Sequence, residues 1–358
     1  MSRNLAGKPL VSRVMQVEVF RGHREEWDRF VEESPRGTFF HLLGWRDVLG
    51  AAFGFRTHYL AARCDGRLVG VLPLCEVPSG PRSRCLLSLP FAIEAGVCAV
   101  DGTAQRVLDD AALALSAERG ASFLELRDGL DSAGFQIREG TYYRFRRPLH
   151  PTDEENFAAL PRKRRRMVRV GQRYGLVAHT ETPDVRVFHD LYARSARRLG
   201  TPVFSCEYFR LLLRIFPEQC VILTTSSGTR PVAAVLSFLF HDTVMPYYAG
   251  SRREYFRQAA NDVMYWELMR YARRCGLRRF DFGRSKKGTG AFDFKRHWGF
   301  EAEPLRYRVH TRMDHAFTEH SVNDRGVRFL RWGWRHLPLG LTKLLGPPLV
   351  RRFGSLYT

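Results

Sequence analysis

Between Phe280 and Phe300 the chain reads FDFGRSKKGTGAFDFKRHWGF, the stretch richest in groups able to act on a substrate. A strand-like FDFG with Asp281 inside it opens into a glycine-containing loop bearing Arg284, Lys286 and Lys287, and an aromatic segment then presents Lys295 and Trp298. Cations on a loop at a strand's end suit a phosphate or a developing oxyanion, because flexible backbone approaches the ligand while positive charge stabilises it. The same residues also read as a solvated basic loop, and Lys295 as a surface lysine or a partner for Asp281. The order Lys-Lys-Gly-Thr-Gly is not GxxxxGK[ST], and no GxGxxG follows a strand, so neither a Walker loop nor a dinucleotide fingerprint is present.

Such a loop needs a sheet and a helix to hold it, and the pattern supplies them twice. In the first half a strand over Val14 to Phe20 precedes an aromatic-rich helical stretch from Glu25 to Ala52. HYLAARC (His58 to Cys64) and RLVGVLPLCEV (Arg67 to Val77) then flank Asp65-Gly66, a hairpin signal. From Thr103 to Arg119, Val107, Leu108, Ala111, Ala112 and Leu115 share one helical face that stops at Gly120, and the strand SFLELR follows. In the second half PVAAVLSFLF (Pro231 to Phe240) turns through His241-Asp242 into TVMPYYAGS (Thr243 to Ser251). A helix carrying Tyr265, Leu268, Met269 and Ala272 ends at Gly276, before the strand RRFDFG. In both halves an acid stands five residues past the glycine, Glu125 and Asp281, 156 residues apart. The pattern predicts a duplicated α/β (α+β) unit. Tyr247 and Tyr248 alternate along their strand, so only one of them, taken as Tyr248, should face a groove.

The chain has 358 residues, 44% of them hydrophobic and 13% aromatic, a composition that excludes a disordered chain. Its 57 Lys and Arg against 37 Asp and Glu give a net charge of +20, which favours an anionic partner: nucleic acid, phosphorylated substrate or lipid surface. The basicity is concentrated. Arg162 to Arg173 holds seven cations and no acid, and Val327 to Thr358 holds six among Phe329, Leu330, Trp332, Trp334 and Leu337. The expected organisation is a domain over 14–150, a second over 151–312 entered through a basic helix at 160–176, and a tail over 313–358. Arg162, Lys163, Arg164, Arg165, Arg166 and Arg169 are the candidate polyanion contacts on that helix. Pro338, Gly340, Gly346, Pro347 and Pro348 should break any long helix in the tail. The seven cysteines form no CxxC pair and read as buried thiols, while His310, His315 and His320 recur at five residues, not the spacing of a helical zinc pair, so no metal is expected. No helix-turn-helix, RRM or zinc pattern points to DNA. With no apolar signal core and no apolar run near 18 residues, the expectation is a cytoplasmic protein whose tail either contacts the inner membrane peripherally or packs back onto the first domain.

The order FDFGR, loop, FKRHWGF resembles the acetyltransferase-like (GNAT) domain of the FemAB family, and the resemblance extends over most of residues 15 to 310. The two halves are similar to that family's twin domains, and LPRKRRRMVRVGQRYGL, Leu160 to Leu176, to its basic helix. FFHLLGW at Phe39 to Trp45, RKRRRMVR and the Trp/Leu/Pro-rich basic tail resemble the FemAB-type proteins that accompany exosortase and PEP-CTERM systems. The resemblance implies two tandem GNAT-like domains with mixed central sheets. It implies direct acyl transfer to an amine of a cell-envelope or exopolysaccharide precursor, with no covalent enzyme intermediate. Lys295 matches the family lysine credited with stabilising the oxyanion. Asp281 would orient Lys295 or take a proton from the amine, although satisfying loop amides serves it equally well. Arg284, Lys286, Lys287, Tyr248, Trp298, Trp45 and Arg46 would contact substrate. Family members that bind a uridine-diphosphate precursor carry a lysine soon after the first-domain tryptophan, whereas Trp45 here is followed by Arg46, Asp47, Val48 and Leu49. There is no Q/RxxGxG/A loop to cradle the coenzyme A pyrophosphate. No tightly bound cofactor is implied; the donor is an aminoacyl-tRNA or an acyl-CoA, and the anionic partner a tRNA, an acyl carrier or a glycan precursor. The competing reading is a non-catalytic polyanion- or membrane-associated assembly factor of exopolysaccharide export.

Overall fold

A computed structural model describes residues 15–79, 83–180, 184–311 and 325–353. Val14, His315 and His320 lie outside the described residues. In the first half the elements are β1 (Met15–Val19), α1 (Arg24–Glu33), α2 (Gly44–Phe53), β2 (Arg56–Cys64), β3 (Arg67–Pro78), β4 (Arg84–Leu87), β5 (Cys98–Ala99), α3 (Gly102–Glu118), β6 (Phe123–Leu126) and β7 (Gln136–Arg138). The expected helix from Glu25 to Ala52 is two helices joined by a 3-10 turn at Phe39–His41. The chain doubles back at Gly37, where a Cβ would lie 1.8 Å from the Val31 carbonyl oxygen. Asp101 starts α3 by accepting from the Thr103 and Ala104 amides at 2.9 and 2.8 Å, the N-cap its side chain favours.

There follow β8 (Tyr142–Pro148), α4 (Asp153–Ala158), α5 (Arg162–Arg173), β9 (Leu176–His179), α6 (Val185–Leu199), α7 (Cys206–Ile215), β10 (Cys220–Ser227), β11 (Arg230–Phe240) and β12 (Thr243–Ser251). The chain continues through α8 (Ala260–Arg274), β13 (Arg279–Lys286), α9 (Gly290–His297), β14 (Glu303–Pro304), β15 (Tyr307–Thr311), α10 (Arg325–His336) and α11 (Leu339–Phe353).

Two mixed sheets share one plan. The first runs β1-β2-β3-β4-β6-β15-β7, the second β14-β8-β13-β12-β11-β10-β9. Each is an antiparallel meander followed by one parallel step, β4 to β6 across α3 and β12 to β13 across α8. The next strand is antiparallel in both sheets and comes from the other half of the sequence. β8 pairs with β13, and β15 with β6. The expected divisions at 150 and 312 therefore do not follow the sheets: residues 142–148 complete the second and 307–311 the first. Hydrogen-bonding edges, not chain order, set the partition.

Arg308 ties the exchanged β15 down. Fully buried, it donates to Asp109 on α3 at 2.7 Å and to Asp128 just after β6 at 2.8 and 2.6 Å. Between the lobes an aromatic cluster joins Phe39, Phe40 and Trp45 to Phe216, Phe238 and Tyr247, with ring centroids 4.3 to 6.0 Å apart. Such offset and edge contacts add to the burial of apolar area. The cysteines are all free; five are buried as expected, but Cys206 is half-buried and Cys275 exposed at the end of α8.

In the tail, α11 runs through Pro347 and Pro348 and contradicts the expected break. Its stripe of Thr342, Gly346 and Val350 is buried, and Gly346 meets the Val203 backbone, where a Cβ would lie 2.4 Å from the carbonyl oxygen. Tertiary packing overrides the proline penalty. Both α10 and α11 lie against α6. Among the described residues no helix is long and apolar enough to cross a membrane.

Candidate active site

The parallel pairing of β12 with β13 covers only Thr243 with Arg279 and Val244 with Phe280. Beyond it β12 stays with β11 and β13 with β8, so the strands diverge and open a cavity of about 220 Å³. Tyr247, Tyr248, Gly283, Arg284 and Lys295 line it from the second lobe, and Phe91 and Ile93 reach it from the first.

Local irregularities shape both walls. In β12 the register slips between Leu236, opposite Tyr248, and Ser237, opposite Pro246, leaving Tyr247 as the extra residue of a bulge. The bulge breaks strict alternation, and both tyrosines line the cavity, which corrects the expectation that only Tyr248 would. Tyr248 shares a hydroxyl contact of 2.8 Å with Tyr208, and Tyr247 donates to the Phe91 carbonyl. In β13 a second bulge falls between Asp281 and Arg284. Gly283 there has φ +69°, a left-handed conformation that favours glycine, and a Cβ would also press on Ile93. Pairing with β8 carries β13 on to Lys286, so Arg284 and Lys286 belong to a strand and not to the loop expected for them.

The FDFGR run builds a cradle for one ammonium. Asp281, fully buried, accepts from the Gly283 amide at 2.8 Å and from Arg144 on β8 at 2.6 Å. Arg144 also reaches Glu94 of the first lobe. With the turn so held, the Gly283 and Arg284 carbonyls point at Lys295 Nζ, which donates to them at 3.2 and 2.9 Å. Lys295 sits in the last turn of α9, where the helix dipole favours a cation, and its Nζ lies 5.5 Å from the Phe145 ring centroid. Burial pulls its pKa down to about 7; Asp281 opposes the shift and Arg284 adds to it. Arg284 donates to the Tyr307 hydroxyl at 3.0 Å and stands 4.4 Å over the Tyr142 ring. The site thus offers two cations, one titrating near neutrality, at the mouth of a partly apolar cavity.

Of the predicted residues, Lys295, Arg284 and Tyr248 meet at the cavity and Asp281 stands behind it. The others lie elsewhere. Trp298 is fully buried among Tyr265, Phe282 and Phe294 and shows no face to a ligand. Trp45 is equally buried in the inter-lobe cluster, with its indole donating to the Phe39 carbonyl at 3.1 Å. Arg46 is on α2 beside Asp47, 3.4 Å away and outside the cavity. Lys286 closes β13, and Lys287 lies over the Tyr143 ring at 5.9 Å; neither lines the cavity. On α5, Arg162, Lys163, Arg166 and Arg169 are exposed, Arg169 standing over the Phe157 ring. Arg164 instead turns inward to Asp262 at 2.8 Å, where α5 packs on α8, and Arg165 donates to the Ala158 carbonyl at the end of α4. Sequence reasoning missed Arg144 and the Phe91–Ile93 wall, whose roles depend on the exchanged strand and the opposite lobe.

The first lobe has the equivalent fork after Leu87 and Glu125, with Arg127 buried beside it. Arg127, only 1% exposed, donates to Glu125 at 2.8 Å and to the Leu89 and Ala92 carbonyls at 3.2 and 2.7 Å. Glu125 and Asp281, matched in sequence, are thus both committed to arginines.

No curated protein matches the chain. Residues 157–296 match the family described as Acetyltransferase (GNAT) domain. Among solved structures, that of FemX is 16% identical with a TM-score of 0.65, covering 82% of this chain and 96% of its own. L-PGS from Bacillus licheniformis is 13% identical, TM-score 0.53, over 90% and 97%. A tandem GNAT protein from the clavulanic acid biosynthesis pathway is 12% identical, TM-score 0.53, over 83% and 98%. Residues 157–296 thus match the GNAT acetyltransferase domain model, and the chain as a whole has a fold similar to these tandem GNAT-like structures.

Proposed function

We propose that the chain is an N-acyltransferase that moves an acyl or aminoacyl group directly to an amine of a cell-envelope or exopolysaccharide precursor, at the fork between β12 and β13. The observation that carries this reading is the Lys295 ammonium, fixed by two strand carbonyls at the edge of a cavity that both lobes wall. The acceptor amine attacks the acyl carbonyl, whose oxygen becomes an oxyanion. The Lys295 N–H not used by the carbonyls stabilises it, and Arg284 adds positive potential from the same wall. Collapse of the tetrahedral intermediate expels the donor's thiolate or ribose oxygen, which takes up the proton the amine releases. Asp281 holds the turn and is a positioning residue; the catalytic role expected for it is not part of this reading.

The donor is an aminoacyl-tRNA or an acyl-CoA. The exposed cations Arg162, Lys163, Arg166 and Arg169 on α5, next to α8, supply phosphate contacts for either. The FemAB resemblance favours the tRNA ester, and the exosortase-type resemblance favours an exopolysaccharide precursor. Supplying purified protein with radiolabelled aminoacyl-tRNA or acyl-CoA and an envelope extract tests this. Label should pass to an amine-bearing glycan precursor; no transfer from either donor leaves a polyanion-binding assembly factor.

The pH profile carries its own expectation. Lys295 is an ammonium below its pKa of about 7 and neutral above it. Turnover should therefore show a falling limb as pH rises through about 7, with Lys295→Arg, charged throughout, lacking that limb. A wild-type profile that keeps rising past pH 8 contradicts the oxyanion role.

A further inference from the structure

We propose that α10 and α11 form a docking surface for an anionic lipid bilayer, independent of the transfer reaction. Their outward faces are apolar where a soluble helix would be polar. Phe329, Leu330 and Trp332 on α10 are 70%, 72% and 58% exposed, and Leu344 on α11 is 67% exposed. Phe329 stacks on Trp332 with ring centroids 6.0 Å apart, and Trp332 meets His336 at 4.6 Å, so the rings form a pre-built ledge on the α10 surface. The opposite stripe of α11 is buried against the body, which anchors the pair with its leucines facing out.

Charge selects the occupant. Residues 325–353 hold seven Lys and Arg and no Asp or Glu. Arg331 and Arg335 reach the Leu199 carbonyl at the foot of α10, and Lys343 pairs with Asp190 of α6 at 2.8 Å. A second copy of the same face would set cations against cations. An anionic headgroup layer complements the net positive charge of this segment, while its acyl boundary takes up tryptophan, phenylalanine and leucine. Neither helix is long and apolar enough to span, so the pair lies on the bilayer. The surface is also close to the cavity: Gly346 abuts Val203, and the next residue, Phe204, lines the fork.

The test is co-sedimentation of the full chain with vesicles of phosphatidylcholine alone or mixed with phosphatidylglycerol. Binding should be about tenfold or more stronger with phosphatidylglycerol and should weaken as salt rises. The triple variant Phe329→Ser/Trp332→Ser/Leu344→Ser should lose about tenfold or more of it. Should that variant fold poorly, Trp332→Ser alone should give a partial loss with unchanged circular dichroism. Equal binding to both vesicle types, or full binding by both variants, overturns the proposal. So does sedimentation velocity showing a wild-type dimer that the substitutions dissolve, or RNA binding that they abolish while vesicle binding persists.

Discussion

Lys295→Ala lowers turnover about 10²- to 10³-fold, the usual loss when one oxyanion donor is removed, and leaves the fold intact. The fold survives because the carbonyls of Gly283 and Arg284 face the cavity, where water replaces the ammonium, and because the turn is held separately by Asp281 and Arg144. The loss should fall on kcat, since the lysine acts on charge that appears only in the transition state. Lys295→Arg keeps the charge but cannot place a guanidinium fork where a point donor sat between two carbonyls, so it should restore only part of the rate. Single-turnover transfer by the purified variants decides the matter, and wild-type turnover from the alanine variant removes the assignment.

Arg308→Ala destabilises the protein by about 3–5 kcal/mol, because it strands two buried carboxylates, Asp109 and Asp128, without their shared cation. Both side chains are less than 10% exposed, so solvent screens them little once the guanidinium is gone. The surface pair Arg230–Glu254, each side chain 54% exposed, is the built-in control. Breaking it should cost less than about 1 kcal/mol. Urea denaturation of the two variants measures the contrast, and equal midpoints would refute it.

Much of this architecture was legible in the chain itself. Helix, terminating glycine and acid-bearing strand recur with one offset, and each signal is local: an apolar face at helical spacing, then a residue free to turn. The exchange of β8 and β15 was not legible, because YYRFRRP and YRVHT read as strands without naming the edge each will join. The site divides in the same way. Lys295 and Arg284 could be singled out because cations gather around a glycine turn. Trp45 and Trp298 could not be told from ligand-facing indoles, because what covers them, Phe216 and Phe238 for one and Tyr265 and Phe282 for the other, lies on other elements of the fold. The tyrosine pair was misread for a subtler reason, since one inserted residue in β12 re-aims a side chain that a period of two would send to the far face.

The interlocked sheets have a practical corollary for anyone wishing to excise the second half. Residues 157–296, the span that the family comparison marks out, omit β8, which covers β13 from Arg279 to Lys286. A fragment cut there would bare that strand's hydrogen-bonding groups next to the carbonyls that receive Lys295, and would lose Arg144, the clasp on Asp281. It would be sticky and slack at the one place that has to be rigid. The repeat looks divisible on paper, yet in three dimensions each lobe keeps a piece of the other, and neither sheet is complete without the other half.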